Sequence, residues 1–92
     1  MKNTKKMRNV KFKEKAFDEV QVWLFESPKT LQRIFRMLEE ARRTPFEGIG
    51  KPEPLKGDFR GCWSRRVNDE DRLIYKVTEE DIIVLSLRGH YQ

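Results

Sequence analysis

Hydrophobic and polar positions follow two different periods along the chain, a helical period in the first half and a strand period in the second. Phe17, Val20 and Leu24 recur at the spacing of one helix face, with Trp23 beside them. This spacing predicts an amphipathic helix that starts near Glu14 and packs its apolar face on a core.

A second helix is predicted directly after the first. Ser27 can accept a hydrogen bond from a free amide at the helix start, and Pro28 suits the first helical position because no donor is needed there. The apolar residues that follow share the i, i+3, i+4, i+7 spacing of a buried face: Leu31, Ile34, Phe35 and Leu38.

Strand patterns occur near the start of the chain and again in its second half. The segment 9–13 alternates polar and apolar residues, and three β-rich runs, 62–67, 72–77 and 82–87, are separated by short polar turns. The runs predict an antiparallel meander that the first strand joins. We therefore expect an α+β domain with two N-terminal helices on one face of a small, mainly antiparallel sheet of four to five strands, leaving the other face free for a ligand.

The segment 44–61 is predicted to be a long loop in which neither helix nor strand persists. Long ordered loops in small domains are often functional. Its helix- and strand-breaking residues are Pro45, Gly48, Gly50, Pro52, Pro54, Gly57 and Gly61.

Composition narrows the class of protein. The 92 residues suit one domain, 1–92, in which the basic residues 1–8 form a flexible extension. Lys and Arg total 20 against 15 Asp and Glu, a net charge of +5. This balance favours an anionic partner, nucleic acid first, although the same charge also serves solubility.

Cysteine and histidine are scarce, with one of each. A lone cysteine excludes an intramolecular disulfide, and one histidine beside it is too few for a Cys/His zinc site. No apolar stretch has the length of a signal peptide or a membrane span. We expect a cytoplasmic protein without metal, cofactor or membrane contact.

The second half of the chain carries the residue types that cut RNA without a metal. That reaction needs a base for the 2′-hydroxyl, a cation for the charge that develops on phosphorus, and an acid for the 5′-oxygen. Glu53, held between two prolines, is the candidate base, Arg72 the cation and His90 the acid. Tyr91 is a candidate for stacking on a base.

Each of these residues also has a simpler interpretation. A lone histidine near a C-terminus can be an idle surface residue, Tyr91 can pack over the sheet edge, and arginines on strands can form a solvated face. The basic residues expected to contact RNA or the ribosome are Lys51, Lys56, Arg65, Arg66 and Arg88. Arg65 and Arg66 are adjacent on a strand, so only one of them can line the site.

Four motifs in order resemble the YoeB (Txe) toxin family of the RelE superfamily: RRTPFEGIGKPEPLK at 42–56, GCWSRR at 61–66, RLIY at 72–75 and HY at 90–91. The resemblance implies a RelE-like fold and a toxin of a type II toxin-antitoxin system that cuts mRNA in the ribosomal A site. It also implies a YefM-type antitoxin, a homodimer, and operator DNA binding only together with the antitoxin.

The same resemblance gives the residues their roles. Glu53 matches the family's base, Arg72 its phosphate-binding arginine, His90 its acid and Tyr91 its C-terminal aromatic residue. Lys56 and Arg66 match accessory basic positions. The favoured member of the Arg65 and Arg66 pair is Arg66, on resemblance alone.

The chain departs from the family pattern at three positions. Gln92 follows the terminal tyrosine, Asp71 stands where relatives often carry histidine, and Cys62 replaces a common aromatic residue. None of these changes removes a residue with a proposed catalytic role. The alternative function is a non-catalytic RNA- or ribosome-binding module that blocks translation by occupancy. A third possibility is a protein whose main task is partner binding, such as autorepression with an antitoxin.

Overall fold

Two helices and a five-stranded sheet make up the protein, as seen in a computed structural model that describes residues 7–89. The elements in chain order are β1 (Asn9–Phe12), α1 (Glu14–Glu26), α2 (Pro28–Ala41), β2 (Glu53–Pro54), a 3-10 turn (Gly57–Phe59), β3 (Cys62–Arg66), β4 (Arg72–Val77) and β5 (Asp81–Ser86). The predicted α+β class and the helix-then-strand order are confirmed.

The boundary between the helices follows from local chemistry. The Ser27 hydroxyl accepts a hydrogen bond from the Thr30 amide at 3.2 Å, and Pro28 is the first residue of α2. Serine satisfies an amide that has no partner within the helix, while proline loses no donor there. The predicted start of the second helix is therefore confirmed.

The sheet has the strand order β1-β5-β4-β3-β2. Strands β3, β4 and β5 form the predicted antiparallel meander, and β1 pairs in parallel with β5, with Asn9 opposite Asp81 and Phe12 opposite Val84. The chain thus places its first strand beside its last, which makes β5 an internal strand.

Strand β2 lies inside the segment predicted to contain no strand, so that prediction is wrong at residues 53 and 54. Glu53 pairs with Ser64 and Pro54 with Trp63, both antiparallel, on the outer edge of β3. The ladder is short because a proline cannot donate to it and is tolerated only at an edge. It nevertheless joins the proline-rich loop to the sheet.

The helices cover one face of the sheet, and the buried stripe of α1 differs from the predicted one. Phe17 and Leu24 are 58% and 56% exposed, whereas Ala16 and Trp23 are buried. The buried stripe consists of Ala16, the half-buried Val20 and Trp23, at the spacing i, i+4, i+7. It is rotated by one residue from the predicted stripe. The core consists of Ala16, Trp23, Ile34, Met37, Leu38, Ala41, Val67, Leu73, Tyr75, Ile82, Val84 and Leu87.

Within residues 7–89, neither helix has the length and apolar character needed to cross a membrane.

Candidate RNA-cleavage site

Strand register places Glu53 on the face of the sheet opposite the helices. Glu53 stands directly across from Ser64, and residues directly opposite in an antiparallel pair point to the same side. Arg66 follows two positions later on β3, on the same side and about 7 Å further along the strand. The Glu53 side chain is exposed. A carboxylate and an arginine therefore share an accessible surface.

Arg72 completes this group from the neighbouring strand. It pairs directly with Arg66 in the β3–β4 ladder, so the two guanidinium groups lie on the same face. No carboxylate in residues 7–89 forms a salt bridge with either arginine. Like charges directly across two strands repel each other, and a bound anion would relieve that repulsion.

The Arg72 guanidinium is oriented by the turn that precedes its strand. Its Nη1 donates to the carbonyl oxygens of Asn68 at 2.8 Å and Asp71 at 3.0 Å. Its Nε and Nη2 have no hydrogen-bond partner among residues 7–89. These two donors form the fork with which arginine binds two oxygens of one phosphate.

The C-terminal segment is attached beside Arg72. The Arg72 amide donates to the Gly89 carbonyl at 2.9 Å, and the Gly89 amide donates to the Asp71 carboxylate at 2.9 Å. Asp71 is therefore a backbone anchor. The predicted acid His90 and the predicted stacking residue Tyr91 lie outside the described residues, and their assignments stay predictions.

The prediction that Arg65 contacts RNA is wrong. Its side chain is fully buried on the helix-covered face. Its Nε donates to the Tyr75 hydroxyl at 3.0 Å, and its Nη1 donates to the Glu40 carboxylate at 2.6 Å. Adjacent strand residues point to opposite faces, and Arg66 has the open one. The expectation that the two side chains point to opposite faces is confirmed.

The buried arginine changes the acidity of its two side-chain partners. Burial raises the pKa of the Glu40 carboxyl, but the Arg65 hydrogen bond, the Ile49 amide and the Arg65 charge together outweigh it, so the net pKa lies below its usual value. Burial also raises the pKa of the Tyr75 hydroxyl, and the nearby Arg65 only partly offsets that. Glu40 is thus ionised and Tyr75 neutral near pH 7.

The structure places the remaining predicted basic residues in two different environments. Lys51 and Lys56 are exposed in the segment that flanks Glu53. Arg88 instead contacts α1, where its Nη1 donates to Glu26 at 2.9 Å and its guanidinium lies 4.7 Å from the centre of the Trp23 ring. The assignment of Arg88 as an RNA contact stays a prediction.

Sequence reasoning missed Glu40 and the anchoring role of Asp71. A glutamate near the end of an amphipathic helix gives no signal that it will pair with a buried strand arginine. In residues 7–89, no cluster of three or more His, Cys, Asp or Glu side chains could hold a metal ion. Among the described residues, the open face brings together one carboxylate and two guanidinium groups.

The helix pair on one face of a five-stranded sheet, with an acid and paired arginines on the other face, defines the class of small RelE-like toxins. A family model described as the YoeB-like toxin of bacterial type II toxin-antitoxin system matches residues 12–91. The chain belongs to this family.

Individual relatives agree with that assignment. Toxin YoeB of Mycobacterium bovis is 46% identical over 85 residues, which cover 92% of this chain and 100% of that protein. The YoeB dimer of Staphylococcus aureus superimposes with a TM-score of 0.85 at 36% identity, covering 92% of this chain and 99% of that one. The YoeB-YefM complex of the same organism gives 0.82 at 36% identity, covering 91% and 98%.

Proposed function

We propose that this toxin is a ribosome-dependent mRNA endonuclease that cuts the message in the ribosomal A site and thereby stops translation. One observation carries the proposal: Glu53, Arg66 and Arg72 share one accessible sheet face, and within residues 7–89 no group occupies the Nε and Nη2 donors of Arg72. A base beside an arginine pair suits a phosphodiester whose own 2′-hydroxyl is the nucleophile.

In the proposed reaction Glu53 removes the proton of the 2′-hydroxyl, and the resulting oxygen forms a bond to phosphorus. Arg72 stabilises the added negative charge through two N–H donors, with Arg66 as a second cation. The bond from phosphorus to the 5′-oxygen then breaks, and His90 protonates that oxygen. The products are a 2′,3′-cyclic phosphate and a 5′-hydroxyl, with Tyr91 stacked on an unpaired base.

The chain is also proposed to bind partners that its relatives bind. A YoeB dimer and a YoeB-YefM complex are known from Staphylococcus aureus. By analogy we propose a homodimer and a YefM-type antitoxin, with operator DNA bound only by the toxin together with that antitoxin. Apolar side chains that the core leaves exposed, among them Phe25 at 87%, are available for such contacts.

Toeprinting of a defined mRNA on programmed ribosomes tests the proposal. The purified protein, its Glu53→Ala and His90→Ala variants and naked RNA are run in parallel. We expect a cut inside the A-site codon that needs ribosomes and is lost in both variants. An intact message with a stalled ribosome would instead indicate a non-catalytic inhibitor, and variants that cut at the parental rate would remove Glu53 and His90 from their roles.

A further inference from the structure

Arg65 organises the loop between α2 and β2. A guanidinium has five N–H donors, and every one of them is used here inside the protein. Besides Glu40 and Tyr75, the acceptors are three backbone carbonyls of the loop. The loop bonds run from Nη1 to Ile49 O at 3.1 Å, from Nη2 to Thr44 O at 2.9 Å and from Nη2 to Glu47 O at 3.1 Å.

The partners of Arg65 hold the same loop. The Tyr75 hydroxyl donates to the Pro45 carbonyl at 2.7 Å, and Glu40 accepts from the Ile49 amide at 2.8 Å. At the end of the loop, the Gly50 carbonyl accepts from the Arg66 amide at 2.6 Å. Gly50 has φ +82°, and a Cβ there would lie 2.7 Å from the Met37 sulfur. The segment 44–50 is thus closely packed and held at several points.

The next residue has a strained backbone. Lys51 has φ +51°, the one left-handed conformation outside glycine in residues 7–89. A side chain disfavours this conformation, so the surrounding structure must hold it. Two residues later comes Glu53, between Pro52 and Pro54, whose rings leave the backbone little freedom to absorb a change at Lys51.

We propose that Arg65 is a positioning residue for the base: by holding the loop 44–50, it keeps Lys51 left-handed and so directs Glu53 to the face it shares with Arg72. The inference deepens the proposed function and rests on it, because it concerns how the proposed base reaches its place. Arg65 itself touches no RNA.

Kinetics of Arg65→Lys on programmed ribosomes provide the first test. Lysine keeps the charge but has three N–H donors for the five acceptors that Arg65 binds, so contacts with the loop are lost. A small misplacement of a reacting group costs much rate. We expect kcat to fall at least about tenfold while KM for the ribosome changes less than about twofold, because the binding surface is intact. Ile82→Val, a core change on β5, is the control for lost stability and should keep the parental kcat.

The backbone at Lys51 provides a test that a purely structural role would not pass. Lys51→Gly and Lys51→Ala lose the same charge, but only glycine adopts a positive φ without strain. With Arg65 in place, the two Lys51 variants should cut at similar rates. In the Arg65→Lys background the glycine variant should cut about fivefold faster than the alanine variant, since fewer contacts then hold the left-handed form that alanine disfavours. Equal rates there would overturn the proposal.

Tyr75→Phe decides the matter if Arg65→Lys does not fold, because it keeps the buried ring and removes only the hydroxyl, which accepts from Arg65 Nε and donates to the Pro45 carbonyl. A parental kcat in this variant would also overturn the proposal; we expect a loss of about threefold or more. Amide hydrogen exchange distinguishes a failure of the proposed function from a failure of the positioning role of Arg65. If the parent cuts no RNA, the proposed function fails, whereas faster exchange at Ile49 and Arg66 in Tyr75→Phe, with Val84 unchanged, still supports the loop-holding role.

Discussion

Arg65 and Arg66 are adjacent on β3, yet they stand in opposite environments on the two faces of the sheet. On the helix-covered face, Arg65 is fully buried and paired with Glu40. On the open face, Arg66 stands across from Arg72, and no carboxylate of residues 7–89 pairs with either. Charge is compensated inside the protein on one face and left for an external anion on the other.

This difference shows that the role of an arginine is decided by the strand pleat rather than by the residue type. A buried guanidinium is stable only where every donor is satisfied, and the loop carbonyls satisfy Arg65. Repulsion within an exposed pair of like charges lowers the stability of the fold, and a bound phosphate relieves that repulsion. Substitutions on the two faces should therefore change different properties, stability on one and RNA cleavage on the other.

The largest effect is expected from Glu40→Ala, which leaves the buried Arg65 cation without its carboxylate. Loss of one partner of a buried pair costs about 3–5 kcal/mol, and we expect about 3 because Glu40 is 35% exposed. Urea unfolding measures the loss. The control is Glu39→Ala, which removes only a surface pair with Arg42 and should cost below about 1 kcal/mol. Equal losses in the two variants would contradict the asymmetry of the faces.

On the open face, Arg72→Ala should lower the cleavage rate at least about a hundredfold, or about 2.7 kcal/mol of transition-state stabilisation. Its thermal stability should stay near that of the parent. Lys76→Ala, an exposed cation on the same strand, is the matched control and should cut nearly as fast as the parent. Single-turnover cleavage on programmed ribosomes gives both rates, and a rate loss shared by the control would indicate a general effect of charge.

Asp71→Ala should slow cleavage by about fivefold, because it removes the acceptor that holds Gly89 next to Arg72. Asp71→Asn keeps an oxygen at that position and should recover most of the rate. Asp69→Ala, in the same turn, is the control for lost negative charge. If Asp71→Asn is as slow as Asp71→Ala, the charge matters and the anchor does not.

Arg66→Ala should weaken RNA binding mainly at low salt. Removal of one phosphate contact reduces the slope of log affinity against log salt by about 0.7 to 1. Binding of a short single-stranded RNA followed by fluorescence anisotropy at several salt concentrations measures the slope. Lys29→Ala, on the exposed side of α2, should leave the slope unchanged. An unchanged slope in Arg66→Ala would show that the open-face arginine does not contact phosphate.

The smallest expected effect is on the pH dependence of the free energy of unfolding. The pKa of Glu40 is lowered in the folded protein, so its ionised form stabilises the fold above the ordinary value of 4.5. That contribution disappears as pH falls through the lowered pKa, where the parent carboxyl becomes neutral. The difference in free energy of unfolding between the parent and Glu40→Gln should therefore be largest near neutral pH and should disappear in acid. Unfolding curves at a series of pH values test this, and a constant gap would contradict it.

Local signals made much of the fold predictable. Serine and proline at 27 and 28 mark the start of α2, and polar turns separate the strands of the meander. The parallel pairing of β1 with β5 was not predictable, because it joins segments about 70 residues apart and leaves no local pattern. The rotation of α1 was missed because Ala16 and Phe17 are both apolar, so the sequence permits either stripe.

The candidate site was predictable in its residues and only partly in its geometry. Glu53, Arg66 and Arg72 follow from chemistry and resemblance, and the strand pairing then brings them to one face. Arg65 was wrongly grouped with them, because a shift of one residue in register exchanges the two faces. No sequence pattern distinguishes a strand arginine that has a buried acceptor set from one that does not.

The internal position of β5 has a consequence for the order of folding. Strand β5 lies between β1 and β4 but follows every other strand in the chain. The helices are therefore made before the strand on which α1 and β1 pack, and such non-local contacts form slowly. Trp23 on α1 stays without the Leu87 carbonyl that accepts from its Nε1 until the residue after β5 is added. A nascent chain that stops before Asp81 thus holds Glu53, Arg66 and Arg72 on strands β2 to β4, but lacks the internal strand that joins them to β1 and α1.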